Sequence, residues 1–154
     1  PTAQTVIRTD TTTINRRFWF SLSNGVTAAT GIMPVSPILG PSPSAVTFVG
    51  LAYATGPLNT GWRCCSGDGA SYSCLDIPGT SVAASTDYRL TIDWSTAGQL
   101  LCIVEPIGGT AVRIIKTDLL STAATDLGVV NAIRTLDNQA RTHLIAGAIL
   151  EQNP

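Results

Sequence analysis

Charge is scarce in this chain of 154 residues. Asp, Glu, Lys and Arg together make 12% of it, about half the usual share, and the formal net charge is −1. That balance gives no electrostatic reason to bind nucleic acid or an anionic membrane surface. The basic side is nearly all arginine, with Lys116 the only lysine; the planar arginine fork pairs and stacks, so it tolerates interfaces better than lysine does. Histidine is scarcer still. His143 stands alone, at the mouth of an apolar segment. A nucleophile triad would have to use it as its base, and a strand-end role is the expectation instead. No run of about 18 apolar residues is free of Pro, Gly or charge, so no transmembrane helix is expected. The N-terminus lacks the basic and apolar regions of a secretory signal. A helical period is missing throughout Gly61 to Thr110.

What is present is apolar and alternating. Apolar residues are 44% of the chain and the mean hydropathy is +0.26. A chain of this size fits one domain with a real core, and a surface so poor in charge is expected to be partly covered by partners. Strand follows turn several times. Phe18, Phe20 and Leu22 share one face by the period of two, and Trp19 takes the other, so that face too is expected to be covered. Val46 to Tyr53 is nearly continuous in apolar residues and reads as a strand buried on both faces. Gly61 to Cys65 and Tyr72 to Ile77 form a predicted hairpin about Ser-Gly-Asp-Gly, ended by Pro78-Gly79. Tyr88, Leu90, Ile92 and Trp94 alternate with Arg89, Thr91 and Asp93, the pattern of a half-buried strand. Leu100 to Glu105, Ala111 to Ile115, Val129 to Arg134 and His143 to Leu150 supply further strands. Residues 26–44 carry four prolines and read as a long loop over an edge, and Asp118 to Leu127 as no more than one helical turn. Eight to ten short strands with little helix predict an all-β fold, a two-sheet antiparallel sandwich.

Residues 1–14 are polar and Thr-rich, with Val6 and Ile7 an isolated apolar pair. They read as an extended N-terminal arm ahead of a sandwich at 15–152. Such an arm gains order by docking on a neighbouring sheet edge, so Val6 and Ile7 are expected to pack on an adjacent subunit or on a larger partner protein. The four cysteines, Cys64, Cys65, Cys74 and Cys102, are expected to be buried and reduced. A Cys65–Cys74 bridge across the hairpin is the alternative, since these two flank one turn. Their spacing is not that of a zinc site, and no metal or cofactor is expected.

Carboxylates offer little for catalysis. Asp87 and Asp93 fall near one strand but read as a turn residue and an alternating surface residue. Asp68 sits between two glycines, where turn chemistry explains it. Gly108-Gly109 carries no phosphate-loop pattern. Trp94 aligns with the core face. Trp62, beside a glycine and Arg63, is the tryptophan best placed for an exposed contact, although core is its leading reading. Arg16 and Arg17 are too few for a basic patch, so a salt bridge or subunit contact is expected of them.

These residues together resemble a known family. The order is Arg17-Phe-Trp-Phe-x-Leu, then Phe48-x-Gly-Leu-x-Tyr-x-Thr-Gly, then Gly61-Trp-Arg-Cys-Cys-Ser-Gly-Asp-Gly. Val82-Ala-Ala-Ser-Thr-Asp-Tyr-Arg-Leu follows, with an apolar strand and a Gly-Gly-Thr turn. The pattern, over Asn15 to Gln152, resembles the concanavalin A-like (jelly-roll) sandwich domains in structural proteins of tailed bacteriophages. The resemblance implies a jelly-roll sandwich and a virion protein that acts through its interfaces. The glycan-hydrolysing relatives use a strand with Glu-x-Asp-x-x-Glu; here the only glutamates are Glu105 and Glu151, and that motif is absent. No catalytic role is carried over.

The expectation is a non-enzymatic capsid decoration (cement) protein, made in the host cytoplasm and held on the outside of the virion head. Its partners would be itself, as a homotrimer, and the major capsid protein. Val6, Ile7, Arg16, Trp62 and Arg63 are its candidate contact residues. A receptor- or glycan-binding domain of a tail fibre or spike is the alternative.

Overall fold

The computed structural model describes residues 1–11, 16–24, 47–55, 61–118, 120, 128–135 and 144–151. They form ten strands: β1 (Thr2–Arg8), β2 (Arg16–Ser23), β3 (Thr47–Thr55), β4 (Gly61–Asp68), β5 (Tyr72–Ser81), β6 (Asp87–Asp93), β7 (Leu100–Pro106), β8 (Val112–Lys116), β9 (Gly128–Thr135) and β10 (Leu144–Glu151). No helix occurs among the described residues. Two five-stranded antiparallel sheets result, in the orders β10-β1-β6-β7-β8 (sheet A) and β5-β4-β3-β2-β9 (sheet B). One core, drawn from both sheets, lies between them. The two ends of the chain pair with each other, β1 with β10 in sheet A and β2 with β9 in sheet B. That is the outer winding of a roll. Between those ends, β3-β4-β5 and β6-β7-β8 run as two meanders, each kept within one sheet. The long loop expected over 26–44 and most of the helical turn expected over 118–127 lie outside the described residues.

Alternation decides the faces. In sheet B the pairing register lines up Phe18, Tyr53 and Trp62 across β2, β3 and β4 on the inner side. Trp62 is the hub. Its ring meets Phe18 edge-on at 5.9 Å, Tyr53 at 4.9 Å and Tyr88, reaching across from sheet A, at 5.4 Å between centroids. Each such aromatic pair adds about 0.5–1.5 kcal/mol beyond its burial. Tyr88 spends its hydroxyl on the loop before β6, accepting from the Ala83 amide at 2.9 Å. Trp94 lies in the same core, in line with Leu90 and Ile92 as the alternation implied.

The outer side of sheet B is also buried. Trp19, Phe48, Ala52 and Cys65 form a second apolar cluster there, so the doubly buried reading of β3 holds. Small residues make the room. Phe48 lies directly over Gly67, where an added Cβ would come within 2.6 Å of its ring. A Cβ at Gly50 would stand 2.7 Å from the Phe20 carbonyl oxygen. Trp19 and Phe48 meet edge-on at 5.1 Å, and the Trp19 indole donates to Ser21 Oγ at 2.6 Å.

The described part of the expected arm, residues 1–11, is not an arm. β1 is an interior strand of sheet A, hydrogen-bonded to β10 on one side and to β6 on the other. Its inner row is Ala3, Thr5 and Ile7, all buried. The buried Thr5 hydroxyl is satisfied by donating to the Gly147 carbonyl at 2.7 Å, so this polar residue adds to the strand without a desolvation cost. Backbone bonds continue past the strand at both ends, from the Trp94 amide to the Pro1 carbonyl and from the Thr9 amide to the Thr86 carbonyl. β1 is therefore part of the sandwich and not an arm ahead of a sandwich at 15–152.

The cysteines are bonded, not reduced. Cys64 joins Cys102, and Cys65 joins Cys74. Neighbouring cysteines point to opposite faces of a strand, so the two have different partners. Cys64 faces the core and ties β4 in sheet B to β7 in sheet A. Cys65 faces outward and ties β4 to β5, whose Cys74 stands directly opposite with a Cα–Cα distance of 4.1 Å. In the chain-entropy picture, the spans of 38 and 9 residues correspond to about 4 and about 2.5 kcal/mol.

Candidate functional site: the outer face of sheet A

The five residues proposed as contacts from sequence do not converge. Ile7 is only 1% exposed and belongs to the protomer's own core. Trp62 is the centre of that core. Neither has surface to offer a partner, and both assignments are corrected. Their exposed look in sequence came from flanking residues, Thr5 and Val6 for one and Gly61 and Arg63 for the other. Val6 faces outward from β1, half-buried between Gly147 and Arg89. Arg63 faces outward on β4 and pairs with Asp76, its Nε 2.6 Å from Oδ1. Arg16 is on β2 opposite Thr55 and Thr135; its side chain lies outside the described residues, as do Arg17's and all of His143.

Among the described residues, the carboxylates considered from sequence are separated and occupied. Asp87 and Asp93 stand at opposite ends of β6, about 20 Å apart along the strand. A glycosidase needs two carboxyls about 5–10 Å apart. Asp93 accepts from the Thr2 hydroxyl at 3.1 Å and the Ser95 amide at 2.9 Å. Burial pushes its carboxyl up, but the Ser95 and Thr2 hydrogen bonds outweigh that and hold it below the usual range. Asp68 accepts from the Ser71 and Ala70 amides at 2.8 and 2.9 Å, which lower it and close the β4–β5 turn. Glu105 pairs with Arg89 at 2.9 Å. Among the described residues no three His, Cys, Asp or Glu side chains are grouped to hold a metal ion.

One polar group has no counterpart in the sequence reading. Lys116 is fully buried where the edge strand β8 of sheet A meets β4 and β5 of sheet B. Its ammonium donates to Ser73 Oγ, to Asp118 Oδ1 and to the Asp118 carbonyl oxygen, so all three protons are used. Ser73 Oγ donates in turn to Asp118 Oδ2, and Ser66 Oγ donates to the Asp118 carbonyl at 2.9 Å. The Lys116 and Ser73 bonds hold the Asp118 carboxyl below the ordinary range. A lysine whose protons are all shared out, one of them to a carboxylate, has no lone pair with which to activate Ser73. The cluster is a clasp between sheets. The sequence did carry a signal: the only lysine continues the inner row Val112, Ile114 of β8.

The surface that remains is the outer face of sheet A. Pairing places Ile149, Gln4, Thr91, Ile103 and Arg113 in one row across all five strands. The adjoining row is Thr2, Asp93, Leu101 and Ile115. Val6, Leu101 and Ile103 are half-buried on this face. Among the described residues, the large apolar ones left exposed are Ile149 at 61%, Ile115 at 55%, Ile107 at 51%, Ile145 at 43% and Leu75 at 38%. Four of these five belong to sheet A or to its β7–β8 turn; Ile115 and Ile149 lie on its outer rows, whereas Ile145 stands opposite Ile7 of the inner row at the sheet edge. Isolated exposed apolar side chains need no explanation; their concentration on one sheet makes that sheet the candidate for an interaction surface. No family model, curated protein or solved structure matches this chain.

Proposed function

We propose that this protein is a non-catalytic virion structural protein, a decoration (cement) protein that binds the outside of a tailed-phage head as a homotrimer. The observation that carries the reading is the gathering of exposed isoleucines on sheet A in a chain with little charge to solvate it. The order of aromatic and turn motifs, which resembles that of phage structural domains, supports the virion setting. The two disulfides suit a protein that works outside a reducing cytosol. Each protomer offers sheet A to the major capsid protein, and three linked copies multiply contacts that are individually weak. The glycan-binding alternative loses its support here, because Trp19, Trp62 and Trp94 are all buried and leave no tryptophan platform for a sugar.

The test is co-sedimentation with heads of the encoding phage that lack the protein, with light scattering for the mass of the free form. Wild type is expected to sediment with the heads and Ile115→Lys to remain in solution while still folded. A wild-type protein that ignores the heads, or an Ile115→Lys variant that binds them equally well, contradicts the proposal.

A further inference from the structure

The two disulfides differ in what a thiol in solution can reach. Cys64 and Cys102 are both fully buried in the core between the sheets, on β4 and β7, strands with a neighbour on either side. Cys65 is fully buried as well, in the outer cluster with Trp19 and Phe48. Cys74 is the exception. It is half-buried on the edge strand β5, and the next two residues, Leu75 and Asp76, are exposed. Thiol–disulfide exchange begins with a thiolate attacking one sulfur of the bond, so access to that sulfur decides where it starts.

We infer that Cys74 is a thiol-exchange site, where a small dithiol reversibly opens the Cys65–Cys74 bond while Cys64–Cys102 stays closed. One thiolate of the reagent bonds to Cys74 Sγ as the Cys65–Cys74 bond breaks, and Cys65 leaves as a thiolate that takes a proton from water. The second thiolate of the reagent then attacks the reagent sulfur of this mixed disulfide. Cys74 leaves as a thiolate and is protonated in turn, and the two reagent sulfurs end bonded to each other. The reagent loses two electrons and the protein gains two. The class of reagent follows from the register. Cys65 stands directly opposite Cys74, with 4.1 Å between Cα atoms, so the displaced sulfur is held beside the mixed disulfide. It expels a monothiol before a second molecule arrives, whereas a tethered second thiol competes with it.

Opening the bond acts on β5. Ser73, next to Cys74 and on the other face of the strand, accepts from Lys116 and donates to Asp118. Without the covalent tie the edge strand is held less firmly on β4, and with it the Ser73 part of the clasp. None of this depends on what the protein binds.

The folded full-length chain, treated with dithiothreitol or with glutathione, alkylated and mapped by mass spectrometry, tests the inference. Dithiothreitol is expected to release two thiols first, at Cys65 and Cys74, about a hundredfold or more faster than the pair at Cys64 and Cys102, which must wait for unfolding. Glutathione at the same thiol concentration should open less than about a tenth as much. Hydrogen exchange in β5 should quicken about tenfold or more on opening, with that in β7 unchanged. With oxidised glutathione, Cys74 in Cys65→Ala should form a mixed disulfide about tenfold or more faster than Cys65 in Cys74→Ala. Four thiols appearing together, none before unfolding, equal opening by the two reagents, unchanged exchange in β5, or equal reaction of the two variants overturns the inference.

Discussion

Sheet B carries aromatic side chains on both faces, while sheet A carries its aromatic contribution on the inner face alone. Phe18, Phe20, Tyr53 and Trp62 fill the inner side of sheet B, and Trp19 and Phe48 are buried on its outer side, stitched by the Cys65–Cys74 bond. Sheet A gives Tyr88 to the common core, and its outer rows are Thr, Gln, Arg and Asp interleaved with Val6, Leu101, Ile103, Ile115 and Ile149. One sheet is therefore committed on both sides to the protomer's own stability. The other leaves its outer face as the one proposed for partners. The lesson is that low overall charge is not spread evenly: it reflects a double-sided apolar sheet next to a single-sided one.

That contrast can be broken at several strengths. Deleting residues 1–13 removes β1 from the interior of sheet A and exposes the β10 and β6 edges, so the protein is expected not to fold; circular dichroism checks this, and a folded product would restore the idea of a dispensable arm. Next come single side chains. Trp62→Ala and Trp19→Ala should each cost about 3–5 kcal/mol in urea unfolding, although the two lie on opposite faces of sheet B. Ile115→Ser, on the outer face of sheet A, should stay within about 0.5 kcal/mol. A large loss there would mean that sheet A is covered within the protomer.

The disulfides sharpen the comparison further. Replacing Cys64 and Cys102 by alanine removes the tie between sheets and should cost about 4 kcal/mol; replacing Cys65 and Cys74 should cost about 2.5 kcal/mol, since the closed loop is shorter. Equal losses would assign the effect to something other than loop closure.

Among the polar contacts, the effect to measure is at the clasp. Asp118→Ala leaves buried Lys116 with fewer acceptors, and a loss of about 1–3 kcal/mol is expected, below the full value for a buried pair because the Asp118 side chain is half-exposed. The pH dependence follows from the carboxyl. Hydrogen bonds from Lys116 and Ser73 hold it below its ordinary 3.8. The folded state therefore binds this proton less readily than the unfolded chain does. The stabilisation is present above the ordinary value and is lost as pH falls through the lower folded-state value. Acid titration of stability should be shallower below about pH 4 in Asp118→Ala than in wild type.

The strands from β2 to β8 were legible because bulky apolar residues recur at every second position, as in Tyr88, Leu90 and Ile92. Both sides of β3 were legible for a related reason, an apolar run without interruption. β1 was not. Its inner row of Ala3, Thr5 and Ile7 offers one bulky residue in three, and a buried threonine satisfied by a carbonyl 142 residues away leaves no local trace. The inter-sheet Cys64–Cys102 bond was hidden in the same way, since strand alternation gives the face of each cysteine but not the strand across the core. Among the candidate contacts, Val6 and Ile7 were read as one pair although a period of two separates them, and β1 turns Val6 outward and Ile7 into the core.

The most direct measurement of the division between the sheets is hydroxyl-radical footprinting of the protein, free and bound to heads. Ile103, Ile115 and Ile149 are expected to lose labelling on binding while Leu75, on sheet B, keeps it. Unchanged labelling of the three isoleucines, or protection centred on Leu75, would contradict the assignment of sheet A as the docking face.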